Sequence, residues 1–172
     1  MRAVYLTGPT IYLRALQADD KDVAMAWHQS PFPIDATRAE QILNEVHSDP
    51  WDSREWLLAI ARLADDAVVG SVRIYFWRDE ASVRVHTAPW VTDADAVQAE
   101  ALRLVLPWLR DERERLLIEL NLPADQPATL AAAEEAGFTA RARLREYFAR
   151  PGHRVDLVVY QWVHPIVEAA HA

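Results

Sequence analysis

Asp125–Phe138 reads D-Q-P-A-T-L-A-A-A-E-E-A-G-F, and Leu144–Tyr160 reads L-R-E-Y-F-A-R-P-G-H-R-V-D-L-V-V-Y. The first stretch predicts a short helix over Thr129–Ala136. Gly137 ends it in the left-handed conformation that glycine adopts without a Cβ penalty. The second stretch lies within two predicted strands, Arg141–Arg150 and His153–Val163. Pro151-Gly152 joins them, because Pro presets φ and Gly tolerates the reversed turn.

Working back from this half, Leu116–Leu120 predicts a short strand. A helix is predicted over Val97 to about Arg113, with Leu102, Val105, Leu106 and Leu109 as its buried stripe. Pro107 lacks an N–H and clashes with the preceding turn, so a kink or early end is expected there. Upstream, Trp56–Leu63, Val68–Trp77 and Ser82–Thr87 predict an antiparallel meander with short turns at Asp65-Asp66 and Arg78-Asp79-Glu80. Within the last strand, Val83, Val85 and Thr87 alternate with Ser82, Arg84 and His86, which face the other way. A helix from the capping pattern Thr37-Arg38-Ala39-Glu40 to about His47 comes before the meander. A shorter one across Val23–His28, capped by Asp19 or Asp20, and a first strand at Ile11–Leu16 complete the order. The expected fold is α/β, a mixed and mostly antiparallel central sheet flanked by helices. No boundary divides the chain, so one domain over 1–172 is expected, with its core at about 11–163 and a short tail at 164–172.

On those two quoted stretches the chain resembles the C-terminal half of the GNAT superfamily of acetyl-CoA-dependent N-acetyltransferases. The family wording of the first is roughly D-N-P-A-A-I-R-L-Y-E-K-L-G-F, whose Tyr is the usual general acid. Ala133 stands at that position here, and Gln126 stands where the family has Asn. The resemblance runs from Ile11 to Val163. Leu144-Arg145-Glu146-Tyr147 is similar to the branch that acetylates protein N-termini and small amines. The implied donor is acetyl-CoA, and the implied acceptor is a small-molecule amine or a protein N-terminus.

Family members open the third helix with a glycine-rich loop whose backbone N–H groups and helix N-terminus cradle the pyrophosphate of coenzyme A. Counting back from Glu100-Ala101-Leu102-Arg103-Leu104, the corresponding residues are Asp93, Ala94, Asp95, Ala96, Val97 and Gln98. No glycine occurs between Ser71 and Ala136. Alanine is tolerated there if φ stays negative. Two carboxylates beside an anionic ligand repel it, by about 1 kcal/mol in water at 4 Å and more in a partly buried site. The expectation is that Asp93 or Asp95 caps this helix itself and occupies the pyrophosphate position. With Tyr147, Tyr75 and Tyr160 as substitute phenols, two functions stand. One is acetyl transfer through a divergent site. The alternative is a degenerate GNAT-fold binding or regulatory protein that does not use acetyl-CoA.

Acyl transfer to an amine needs a base with a pKa near neutrality, which favours His or a raised Glu. His86 lies on the strand before the loop and is the first candidate; the competing reading is a surface imidazole. Glu80, in the preceding turn, is the second. His28 and Trp27 fall where the family builds its acceptor wall.

Composition narrows the remaining choices. Hydrophobic residues form 51% of the chain, charged residues 26%, and the formal net charge is −8. Such a surface repels phosphate backbones, which argues against nucleic acid, and weakly favours cationic or amine substrates at long range. The chain has no cysteine, so disulfides and thiolate chemistry are excluded. No apolar run approaches membrane-spanning length and no secretion signal is visible, so no membrane partner and a cytoplasmic location are expected. The histidines lack HxxxH spacing and the acid pairs sit in caps and turns, so no metal site is predicted. Exposed strand edges and the tryptophans Trp51, Trp77 and Trp90 are compatible with a homodimer face or a ligand wall.

Overall fold

The computed structural model describes residues 4–29, 32–47 and 54–169. Eight strands form one sheet: β1 (Val4–Thr7), β2 (Ile11–Ala15), β3 (Glu55–Arg62), β4 (Val68–Trp77), β5 (Glu80–Thr87), β6 (Leu117–Pro123), β7 (Thr139–Arg150) and β8 (His153–Val163). Their order across the sheet is β1-β2-β3-β4-β5-β6-β8-β7. Every pairing is antiparallel except β5 with β6. The helices are α1 (Ala36–His47), α2 (Ala94–Pro107), α3 (Pro127–Glu135) and α4 (Pro165–Ala169).

The sheet is covered on both faces, and strand alternation divides the side chains between two cores. Val72, Ile74, Ala81, Val83, Ile118 and Leu120 pack with Val97, Leu102, Val105 and Leu106 of α2. On the other face Leu57, Ala59 and Val68 pack with Leu16, Trp27, Ala39 and Leu43. Arg14 ties this second layer to the sheet through a two-pronged bond to Asp20, at 2.7 and 2.8 Å. Both residues are buried, and the fork geometry matches the carboxylate.

The predicted order is present, with four differences. Val4–Thr7 adds a strand before the expected first one. The segment expected as a capped helix over Val23–His28 is a 3-10 segment over Ala18–Ala26. Asp20 lies inside that segment, where it accepts from the Gln17 N–H at 2.7 Å in a capping box at the start of the segment and also holds Arg14. The third predicted helix begins three residues earlier, at Ala94. It gives way after Pro107 to a wider π turn over Trp108–Glu112, so the regular α-helix ends at the proline, as expected. A further short helix, α4, follows β8. Gly137 caps α3 at φ +85°, as expected. Trp51 lies outside the described residues.

Candidate active site

β5 and β6 pair in parallel only from Glu80↔Leu117 to Val83↔Leu120. Past that register they part, while β6 keeps its pairing with β8 as far as Pro123. The gap is a cavity of about 740 Å³. One wall is the second half of β5 with the loop that follows it; the opposite wall includes Asn121, Pro123 and Gln126. Ala94 and Gln98 of α2 close one end, and Tyr147 and Phe148 of β7 reach it from the far side.

The reach of β7 depends on a bulge. Leu144 pairs with Leu157 and Phe148 with Val155, so three residues of β7 face Asp156 alone. Glu146 takes φ +51° to accommodate them. Asp156 holds the bulge by accepting from the Glu146 N–H at 2.8 Å and from Arg143 at 2.7 Å. Arg154 donates to the Glu146 and Tyr147 carbonyls. Bulges of this kind re-aim side chains next to functional sites.

The two acids at the start of α2 do not cap it, contrary to expectation. Asp93 occupies the N-cap position but makes no side-chain cap bond. Its carboxylate pairs with Arg62 at 2.6 Å, and that hydrogen bond holds its pKa below the usual carboxylate range. Asp95 points the other way and caps α3. It accepts from the Ala128 N–H and the Thr129 N–H, each at 2.9 Å, and from the Thr129 hydroxyl at 2.7 Å. Both negative charges therefore already have positive partners, one a guanidinium and the other a helix N-terminus. Ala94 and Ala96 need no positive φ in place of the family's glycines. Among the described residues no side-chain cap bond is made at the first turn of α2, so its N–H groups stay available to an anion.

His86 lines the cavity at the point where the strands part. Its Nε2 lies 3.1 Å from the Met25 carbonyl. A carbonyl only accepts, so Nε2 carries a proton and Nδ1 is the ring atom left to accept one. Gln126 also lines the cavity, with its Oε1 buried and without a hydrogen-bond partner. Buried amide oxygens are normally satisfied, so this atom is open to a ligand donor. Gln98 is fixed by donating to the Thr87 hydroxyl at 2.9 Å.

Other predicted residues fall elsewhere. Glu80 opens β5 six residues before His86, about 20 Å away along an extended strand. It is exposed and does not line the cavity. Trp27 is completely buried and donates its indole N–H to the Asp20 carbonyl, so it is core and not an acceptor wall. His28 is half-buried against Trp27 and off the cavity lining, where its neighbour Gln29 is present instead. Burial, then the charges of Arg73 and Arg38, lower its pKa. Ala133 is fully buried in the main core, and Val97 is buried in the same core while Ala96 faces solvent. Of the three substitute phenols, Tyr160 donates to Glu134 at 2.8 Å, and burial with that contact pushes its pKa up to about 12. Tyr75 is away from the lining, whereas Tyr147 is on it. Trp77 and Trp90 are exposed and line no part of the cavity.

No helix is long and apolar enough to cross a membrane, among the described residues. No family model and no curated protein matches the sequence. Solved structures do. A protein from Sphaerobacter thermophilus assigned as an acetyltransferase is 58% identical, with a TM-score of 0.78 over 96% of this chain and 99% of that one. RimJ of Mycobacterium smegmatis, solved with CoA-disulfide, has a TM-score of 0.68 at 16% identity, over 98% of this chain and 90% of its own. The spermidine/spermine N-acetyltransferase of Vibrio cholerae has a TM-score of 0.66 at 17% identity, over 95% of this chain and 98% of its own. The last two likenesses concern the fold, while the first spans nearly every residue of both chains at high identity. With its strands parted beside an uncapped helix N-terminus, the chain belongs to the GNAT family of acetyltransferases.

Proposed function

We propose that this chain transfers the acetyl group of acetyl-CoA to an amine by direct attack. The observation that carries the reading is the cavity between β5 and β6, which holds His86 and runs to the open first turn of α2. The residues fit the cofactor. The α2 N–H groups suit its pyrophosphate, the parted strand edges suit its amide-bearing arm, and the Gln126 oxygen lacks a donor. When bound, acetyl-CoA supplies the activated acyl group.

The chain's own residues do the rest. His86 accepts the amine proton at Nδ1 while Met25 keeps the ring oriented through Nε2. Tyr147 lines the cavity, and in this reading its phenol donates a proton to the departing sulfur, the role for which Ala133 has no group. Walls on both sides hold the amine close to the acyl carbon, and proximity supplies much of the rate in such complexes. The alternative, a binding protein that ignores acetyl-CoA, leaned on the acidic residues at α2 and on the missing Tyr at Ala133; both acids are neutralised within the fold.

Thermal unfolding with and without millimolar acetyl-CoA tests the reading. A ligand at 100 times its Kd adds about 2.7 kcal/mol, which raises Tm by roughly 5–10 °C in a domain of this size. An unchanged Tm at every concentration refutes it.

A further inference from the structure

The protein is acidic overall, yet none of the described residues lining the cavity is Asp or Glu. Arg84, Arg150 and His86 are there instead. Arg150 is occupied by Asp125, at 2.9 and 3.1 Å. Arg84 is different. Among the described residues no carboxylate lies within ion-pair distance of it, and its contact is the face of Tyr75 at 5.5 Å.

Arg84 also stands directly opposite Arg73 across the β4–β5 ladder. Like charges in that position destabilise a sheet. Arg73 is answered by Glu55 at 2.5 Å, although its Nε is buried without a partner. Arg84 has no such answer: it lines the cavity with its guanidinium resting on the Tyr75 ring. It shares its face of β5 with His86, two residues further on, so the two side chains emerge about 7 Å apart. His28, on the layer that covers this face, feels the same positive field from Arg73.

We propose that the acceptor is an amino carboxylate, whose carboxylate is held by Arg84 and whose amine faces His86. The proposal rests on the acetyl-transfer reading and names its substrate class. A planar guanidinium binds a carboxylate through two parallel hydrogen bonds, and side chains that leave the strand about 7 Å apart are within reach of the two ends of an α-, β- or γ-amino acid. The attacking nitrogen forms the amide bond as the thioester C–S bond breaks, with the nitrogen proton passing to His86. The same cationic wall rejects polyamines, which carry only positive charge. It also lowers the pKa of the bound ammonium and raises the share of free amine.

The test compares kcat/KM, by release of free CoA from acetyl-CoA, across two groups of acceptors. One is glycine, β-alanine, γ-aminobutyrate, L-aspartate, L-glutamate and an Asp-initiated tripeptide; the other is putrescine and spermidine. The amino carboxylates are expected to exceed the diamines at least tenfold, and the tripeptide separates an α-carboxylate from a side-chain one. Arg84→Gln should raise the acceptor KM ten- to hundredfold and leave the acetyl-CoA KM unchanged, with Arg84→Lys between. Arg84 is exposed, so both variants should melt with the parent. A preference for diamines, or an Arg84→Gln defect confined to the acetyl-CoA KM, overturns the proposal. Thermal shifts with each ligand alone separate the two readings. If acetyl-CoA gives no shift, acetyl transfer fails. An amino-carboxylate shift that Arg84→Gln abolishes then still supports the anion site, and the absence of any such shift overturns it.

Discussion

Asp95→Ala should destabilise the fold by about 2–3 kcal/mol without improving acetyl-CoA binding. Asp95 is the only described side chain accepting from the first turn of α3, where it takes the N–H groups of Ala128 and Thr129. Losing such a cap costs about 1–2 kcal/mol. The Thr129 hydroxyl is completely buried and also loses its 2.7 Å acceptor. Its remaining acceptor, the Asp95 carbonyl at 3.2 Å, limits that second loss to about 1 kcal/mol. The sum lowers Tm by roughly 5–10 °C, readable by scanning calorimetry, with Asp95→Asn losing about half because the amide keeps one acceptor oxygen. Had this carboxylate repelled the cofactor, its removal would tighten acetyl-CoA. Because its charge is spent on α3, the Tm increment produced by acetyl-CoA should be the same in both proteins. A variant that melts with the parent, or one that binds acetyl-CoA tenfold more tightly, refutes the reasoning.

Other substitutions separate chemistry from structure. His86→Gln should lower kcat by about 10²- to 10⁴-fold in steady-state assays, with the acetyl-CoA KM unmoved. Tyr147→Phe should reduce kcat without changing Tm, whereas Tyr160→Phe should leave kcat alone and cost about 1.5–3 kcal/mol in urea unfolding through its lost bond to Glu134. Glu100 should contribute to acid sensitivity. Burial pushes its pKa up, but donation from the Thr10 hydroxyl and the Thr10 and Ile11 N–H groups outweighs burial and brings it below its ordinary 4.5. A carboxylate with a depressed folded pKa stabilises above the unfolded value and loses that contribution as pH falls through the folded one. Glu100→Gln should therefore flatten the stability profile below about pH 4.5 in urea titrations and leave the slope at neutral pH unchanged.

Local chemistry was enough to specify most of the elements. Alternation placed Arg84 and His86 on one face of β5, Gly137 closed α3, Pro151-Gly152 closed the hairpin, and Pro107 ended the α-helical part of α2, because each of these depends on a few neighbouring dihedrals. The wording around Asp125–Tyr160 was enough to point to the family. Partners distant in sequence were out of its reach. Two aspartates at a helix start look like caps of that helix, yet Asp93 turns to Arg62 and Asp95 to Thr129, 31 and 34 residues away. Trp27 looked like a wall until Asp20 and Arg14 fixed it in the core. Glu80 and His86 share a strand, but only the parting of β5 from β6 decides which of them meets the cavity. Net charge counts every ionisable residue equally, so it suggested a cationic substrate. The tertiary fold leaves Arg84 facing the cavity and keeps the described acids off its walls, and it is the nearby charges that a bound substrate feels most.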